Sequence, residues 1–182
     1  MADKPPMHRL IAAVAILAIA LITLVMLSGQ PREWLDFLMD PDTHPGLFIL
    51  MMSLLPLAGF PITPFLILIG SKFGAYWAAG ITALIFGMHL IVSYLLAHSL
   101  FRPQIASFLA KSKYSLPEIH ERRRLPFSII FMAVPGLPYT IKNLTLATVN
   151  IPFRIYFPVA LGCNLLLALP FIGLGHTVLK NP

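Results

Sequence analysis

Long apolar runs separated by short charged stretches set the pattern of this chain. An unbroken run covers residues 10–27; it follows Lys4, His8 and Arg9 and closes without an Ala-x-Ala site. Its length is close to the roughly 20 residues that span a bilayer and exceeds the roughly 7 to 15 of a signal-peptide core. The pattern therefore predicts an uncleaved anchor helix within residues 1–29. Residues 75–101 and 155–179 are two more long apolar runs, each predicted to be a transmembrane helix.

Two other apolar runs are broken in the middle. Residues 46–70 carry Pro56, Gly59, Pro61 and Pro64, and residues 126–150 carry Pro135, Gly136 and Pro138 together with Lys142 and Asn143. Proline removes a backbone donor and clashes with the preceding turn, so such centres free backbone groups at membrane depth. Facing lipid, each unsatisfied group would cost several kcal/mol, and the breaks must be buried in protein or line a polar cavity.

Charge decides how the runs cross. The segment before the first broken run carries Glu33, Asp36, Asp40 and Asp42 against Arg32. The segment between the two halves carries Arg102, Lys111, Lys113, Arg122, Arg123 and Arg124 against Glu118 and Glu121. By the positive-inside tendency the N-terminus and the basic loop, residues 102–125, are cytoplasmic. Three full crossings between those points would end on the wrong side. One run must enter and leave on the same face, and the broken one at 46–70 is predicted to be a re-entrant hairpin entering from outside. By the same argument 126–150 is a second hairpin, entering from the cytoplasm.

Composition strengthens this. The chain is 58% hydrophobic and 11% charged, with a mean hydropathy of +0.83. Between Asp42 and Arg102 the only Lys, Arg, Asp or Glu is Lys72, and between Arg124 and Lys180 the only ones are Lys142 and Arg154. A soluble fold could not solvate surfaces so poor in charge. The net charge of +6 clusters at the ends of apolar runs, which is membrane topology rather than nucleic-acid binding. The single cysteine, Cys163, excludes an intrachain disulfide and a cysteine-based metal cluster. No cofactor or metal site is predicted, and no nucleophile, metalloprotease or phosphate-loop motif is present, so the chain is not read as an enzyme.

The halves also resemble each other. Gly59-Phe60-Pro61-Ile62-Thr63 parallels Gly136-Leu137-Pro138-Tyr139-Thr140, and Gly87-Met88-His89-Leu90 parallels Gly162-Cys163-Asn164-Leu165. The predicted fold is an all-α integral membrane protein built as an inverted repeat, each half a re-entrant helical hairpin plus a long transmembrane helix, behind an N-terminal anchor. The first repeat is 30–101 (hairpin 46–70, helix 75–101) and the second 126–182 (hairpin 126–150, helix 155–179). The basic loop 102–125 between them holds an amphipathic helix over 104–113, suited to lie on the inner leaflet.

The stretches PITPFLILIGSKFGAYWAAGITALIFG (residues 61–87) and PGLPYTIKN (residues 135–143) resemble the VTT-domain superfamily, the SNARE-associated Golgi proteins that include the bacterial DedA proteins. The resemblance runs over residues 47–175, most of the chain, and rests on Pro61, Gly70, Gly74, Pro135, Pro138 and Asn143. It implies two opposed re-entrant hairpins and movement of lipids between leaflets, as a scramblase or as a flippase for phospholipid or polyprenyl phosphate. The family's Tyr-x-x-x-Arg is here Tyr94 to His98, its arginine before the second hairpin is Met132, and a further arginine falls on Pro138. With no carboxylate in the first hairpin, these residues fit the broader class rather than its proton-coupled members.

Candidate residues follow from the breaks. Lys142 is an ionisable side chain at membrane depth, which either lines a cavity or snorkels to headgroups. With Asn143, Thr140 and Tyr139 it would meet a lipid phosphate. Arg154, Tyr94 and His98 are further candidates for headgroup contact, and Lys72 is read as reaching the outer headgroups. Gly59, Pro61, Pro64, Pro135, Gly136 and Pro138 make the breaks, and Gly70, Gly74, Gly87 and Gly162 are placed in close helix packing. His89 and His98 lie on one helix about 13 Å apart, too far to share a metal. The expected partners are membrane lipids with anionic headgroups, and a second copy of the chain is a further candidate. Other functions open to the same pattern are secondary transport of a small ion or solute, or a membrane scaffold that transports nothing. The shortness of the chain points to a bacterial inner membrane.

Overall fold

A computed structural model describes residues 40, 43–101, 119–134, 136–149 and 151–179. The expected anchor helix, the amphipathic segment over 104–113 and Pro135 lie outside the described residues. Every regular element among the described residues is helical. The chain divides into two compact units, residues 1–60 and 61–182.

In the first unit, helix α1 spans Pro45–Leu54. Pro45 stands in its first turn and His44 caps it, the His44 Nδ1 accepting from the Gly46 amide at 3.1 Å. The helix passes into a short 3-10 turn, Pro56–Ala58, that ends on Gly59 at φ 102°. That left-handed conformation needs glycine, which is why the break falls there. The amide of Phe60 then returns to the Leu55 carbonyl at 3.1 Å.

The second unit opens with α2, Thr63–Phe73. Pro64 sits in its first turn, where a missing N–H costs nothing. Helix α2 runs three residues past the arm expected from the sequence and stops at Gly74, whose φ of 77° and ψ of 160° redirect the chain. Helix α3, Ala75–Leu96, follows and continues through a π-helical turn, Ala97–Phe101.

Helix α4 covers Glu121–Ala133, α5 covers Tyr139–Thr148, and α6 covers Phe153–Leu174 with its own π-helical turn, Gly175–Leu179. Helix α4 begins five residues before the predicted hairpin, inside the stretch read as basic loop. Glu and Arg are good helix formers, and their charges mark the end of the apolar run without marking the end of the helix. Pro126 is accommodated inside α4 on its exposed side. Helix α6 starts two residues before the predicted bound, directly after Pro152.

Element order and length recur. Two short helices flank a break and a long helix follows in each half, and both long helices have 22 residues and end in a five-residue π-helical turn. The stretches Ala75–Ser99 and Phe153–Val178 are long and apolar enough to cross a membrane. Only 33% and 22% of their most apolar windows are buried, unlike the central helix of a soluble core. The end of α3 meets the start of α6, where Tyr94 lies 5.0 Å from Phe153 and 5.3 Å from Tyr156, ring centre to ring centre. A buried cluster of Leu90, Ala97, Met132, Leu146, Ala147, Ile151, Tyr156 and Ala160 joins α3, α4, α5 and α6.

Candidate functional site

The polar residues of the second unit converge on α5. Its ten residues place Tyr139, Asn143 and Leu146 at helical spacing, and Lys142, Asn143, Leu146 and Ala147 are buried. Pro138 precedes its first turn and no side chain caps that end. Gly136, at φ 89°, provides the left-handed step that brings the chain from α4 into α5.

Lys142 is 6% exposed. Its Nζ donates to the Met132 carbonyl at 2.9 Å and to the Val134 carbonyl at 2.8 Å. These are carbonyls that the end of α4 leaves without helical partners, and a positive charge there also opposes the negative end of the helix dipole. The side chain thus runs back across the joint and ties α5 to the end of α4. Its ammonium rests on backbone carbonyls rather than extending outward as a snorkelling lysine. Arg124 and Glu121, both on α4, form an ion pair at 3.3 Å.

Asn143 is fully buried and serves as a hub. Its Oδ1 accepts from Asn164 Nδ2 on α6 at 3.1 Å, and its backbone carbonyl accepts from the Tyr156 hydroxyl at 3.3 Å, with Ser93 of α3 alongside that hydroxyl. Its own Nδ2, buried without a partner of hydrogen-bonding geometry, lies on the side of the Tyr139 hydroxyl. Tyr139 in turn stands 3.2 Å from Nδ1 of the buried His89, with its ring 5.1 Å from that of Phe86. Further along the same face of α3, the Thr82 hydroxyl is also buried with no partner.

His89 and Asn164 occupy matching places in the two related motifs, and each reaches α5 from a different long helix. By helical rise, His89 lies about 18 Å from Trp77 and Asn164 about 15 Å from Arg154, so both sit well inside their apolar helices. Sequence reasoning gave His89 a minor place and missed Asn164, Ser93 and Tyr156. The motif parallel was the only signal, because contacts across so many residues leave no local trace.

The remaining candidates are spread out. His98 donates Nδ1–H to the Tyr94 carbonyl at 2.9 Å and stacks on the Tyr94 ring at 4.0 Å, so the pair closes on itself at the end of α3. Arg154 is exposed in the first turn of α6, and Thr140 is half-buried beside Tyr139. Pro61 and Pro138 are exposed at the starts of α2 and α5. Lys72 is half-buried in the last turn of α2.

The glycines differ sharply in their surroundings. A Cβ on Gly70 would overlap the Ile172 carbonyl of α6, and a Cβ on Gly175 would overlap the Ile67 carbonyl of α2. The two backbones cross in contact, each glycine admitting the other helix's carbonyl. Gly74 forms the joint described above. Gly87 faces the Phe157 ring at an ordinary 3.6 Å, and Gly162 faces open space.

Among the described residues no group of three His, Cys, Asp or Glu side chains could hold a metal ion. No family model matches the chain, and no curated protein or solved structure matches it either.

Proposed function

We propose that this chain is a membrane lipid transporter, a flippase or scramblase, that passes phospholipid or polyprenyl-phosphate headgroups between leaflets along a polar break centred on α5. The observation that carries this reading is a set of polar side chains around the ten-residue α5: buried Lys142 and Asn143 and half-buried Tyr139 on α5, met by buried His89 and Asn164 from the two long apolar helices. Apolar side chains of similar volume would hold such a bundle as well or better. Polar groups at that depth make sense where a polar cargo must pass. A lone headgroup phosphate in hydrocarbon would be prohibitively desolvated, and amide, hydroxyl and ammonium groups would replace part of its water.

In this reading α1–α2 and α4–α5 are two re-entrant hairpins entering from opposite faces, and the halves form the inverted repeat suggested by the motif parallel. The N-terminus and the basic stretch before α4 face the cytoplasm of a bacterial inner membrane. The motifs resembling the VTT-domain superfamily point the same way. No energy source is required if the protein equilibrates lipids.

The test is leaflet exchange of a fluorescent phospholipid and of a polyprenyl phosphate in liposomes holding the purified protein, compared with Lys142→Ala and Asn143→Ala. Exchange of either lipid that slows in the folded variants supports the reading. If neither lipid moves with the wild-type protein inserted and folded, the transport reading fails.

A further inference from the structure

We infer that Lys142 is an anion-operated latch, which closes the α4–α5 joint when its ammonium holds backbone carbonyls and opens it when an oxyanion takes the ammonium away. The inference rests on the transport reading only in taking the anion to be a lipid headgroup.

Three observations converge on it. The ammonium has three N–H donors, and two are spent on the Met132 and Val134 carbonyls. Both partners are neutral, no ion pair with Lys142 exists among the described residues, and an oxyanion adds to the hydrogen bond a charge–charge attraction that a carbonyl dipole lacks. An oxyanion that reaches Nζ therefore outcompetes a carbonyl. The way in is open: Lys142 is buried, but Val134, Gly136, Leu137 and Pro138 around the joint are all exposed.

Release of the ammonium has a structural consequence. Lys142 is the side chain seen to bond across the joint; α4 ends at Ala133, and among the described residues no other side chain is seen to bond the Met132 or Val134 carbonyl. Once free, the Val134 carbonyl lies at the exposed joint, and the Met132 carbonyl, in a fully buried residue, loses its side-chain partner. Two bonded backbone amides flank the latch: that of Val134, shared between the Ile130 and Phe131 carbonyls at 3.2 and 3.3 Å, and that of Lys142, on the Pro138 carbonyl at 2.9 Å. Both are expected to open more often when the latch is released.

Those two amides supply the experiment. Hydrogen exchange of the full-length protein is measured in nanodiscs of an uncharged, phosphate-free galactolipid and of phosphatidylglycerol, and in the galactolipid with added inorganic phosphate. The expected result is exchange at Val134 and Lys142 about tenfold or more faster in phosphatidylglycerol, as the loss of two hydrogen bonds implies. Acceleration by inorganic phosphate as well keeps the latch and identifies any phosphate oxyanion as its key. Equal exchange in all three conditions overturns it.

Lys142→Met keeps the length of the side chain and removes the charge. Fast exchange in every lipid supports the latch, and retained dependence on phosphatidylglycerol overturns it, because the sensor would lie elsewhere. Leaflet exchange measured on the same preparations separates the two readings. Transport without anion-dependent opening sinks the latch alone, and opening without transport sinks the transport reading alone.

Discussion

Replacing single glycines by alanine should sort the helix crossings of this protein by energy. A Cβ on Gly70 would overlap the Ile172 carbonyl oxygen and lie 2.9 Å from its carbon; on Gly175 it would overlap the Ile67 carbonyl oxygen and lie 2.7 Å from its carbon. The obstructing atoms are backbone, so no side-chain rotation relieves them, and α2 must move away from α6. Overpacking of this kind costs about 1–3 kcal/mol, and a backbone neighbour belongs at the upper end. Alanine recovers up to about 1 kcal/mol of helix propensity. The net expectation for Gly70→Ala and for Gly175→Ala is a loss of about 2 kcal/mol each.

Gly162 supplies the control, since a Cβ there meets nothing within 4 Å. Gly162→Ala should be neutral or stabilise by up to about 1 kcal/mol. Unfolding in mixed micelles with rising denaturing-detergent fraction, followed by far-ultraviolet circular dichroism, reads all three. Because Gly70 and Gly175 serve one crossing, the double variant should lose less than the sum of the singles: once the helices part, the second Cβ finds room. Wild-type stability of Gly70→Ala, or an equal loss at Gly162, would refute the crossing as described.

Asn164→Leu strands the buried Asn143 Oδ1 and should cost about 1–3 kcal/mol, whereas Asn143→Leu with Asn164→Leu should cost less than the two singles together, read by the same unfolding assay. Trp77, 76% exposed at the start of α3 next to Tyr76 at 95%, should sit at the membrane interface; its fluorescence should be quenched more by lipids brominated near the headgroup than by those brominated near the chain end. Lys142→Ala and Asn143→Ala should slow leaflet exchange while preserving the helical circular dichroism spectrum.

What the sequence could reveal depended on range. The breaks at Gly59 and Gly136 and the long helices were legible because Gly-Pro chemistry and apolar length are local properties. Lys142 stood out as an ionisable residue in an apolar run, but the direction of its stem depends on how Gly136 folds α5 back toward α4. The Gly70 and Gly74 pair reads as small-xxx-small packing. In the structure Gly70 packs against α6, its counterpart there is Gly175 on another helix, and Gly74 turns the chain from α2 into α3. That pairing joins distant parts of the chain and has no signature in a single sequence. Glu121 to Arg124 read as loop because charge ends an apolar run, yet good helix formers continue α4 through them.

Two of the short helices of the second unit, α2 and α5, are held in place by different physics. Helix α2 buries Phe65, Leu66, Leu68, Ile69 and Gly70 and meets α6 backbone to backbone, a contact that is lost outright once a small gap opens. Helix α5 is held by hydrogen bonds from Lys142, Asn164 and Tyr156 and by the Tyr139–His89 contact. A hydrogen bond can be traded for one to water or to a headgroup at small net cost, because the exchange conserves the number of bonds. The grip on α5 can therefore be handed to a polar visitor step by step, while the grip on α2 cannot. On the transport reading this difference assigns the fixed wall to α2 and the yielding one to α5.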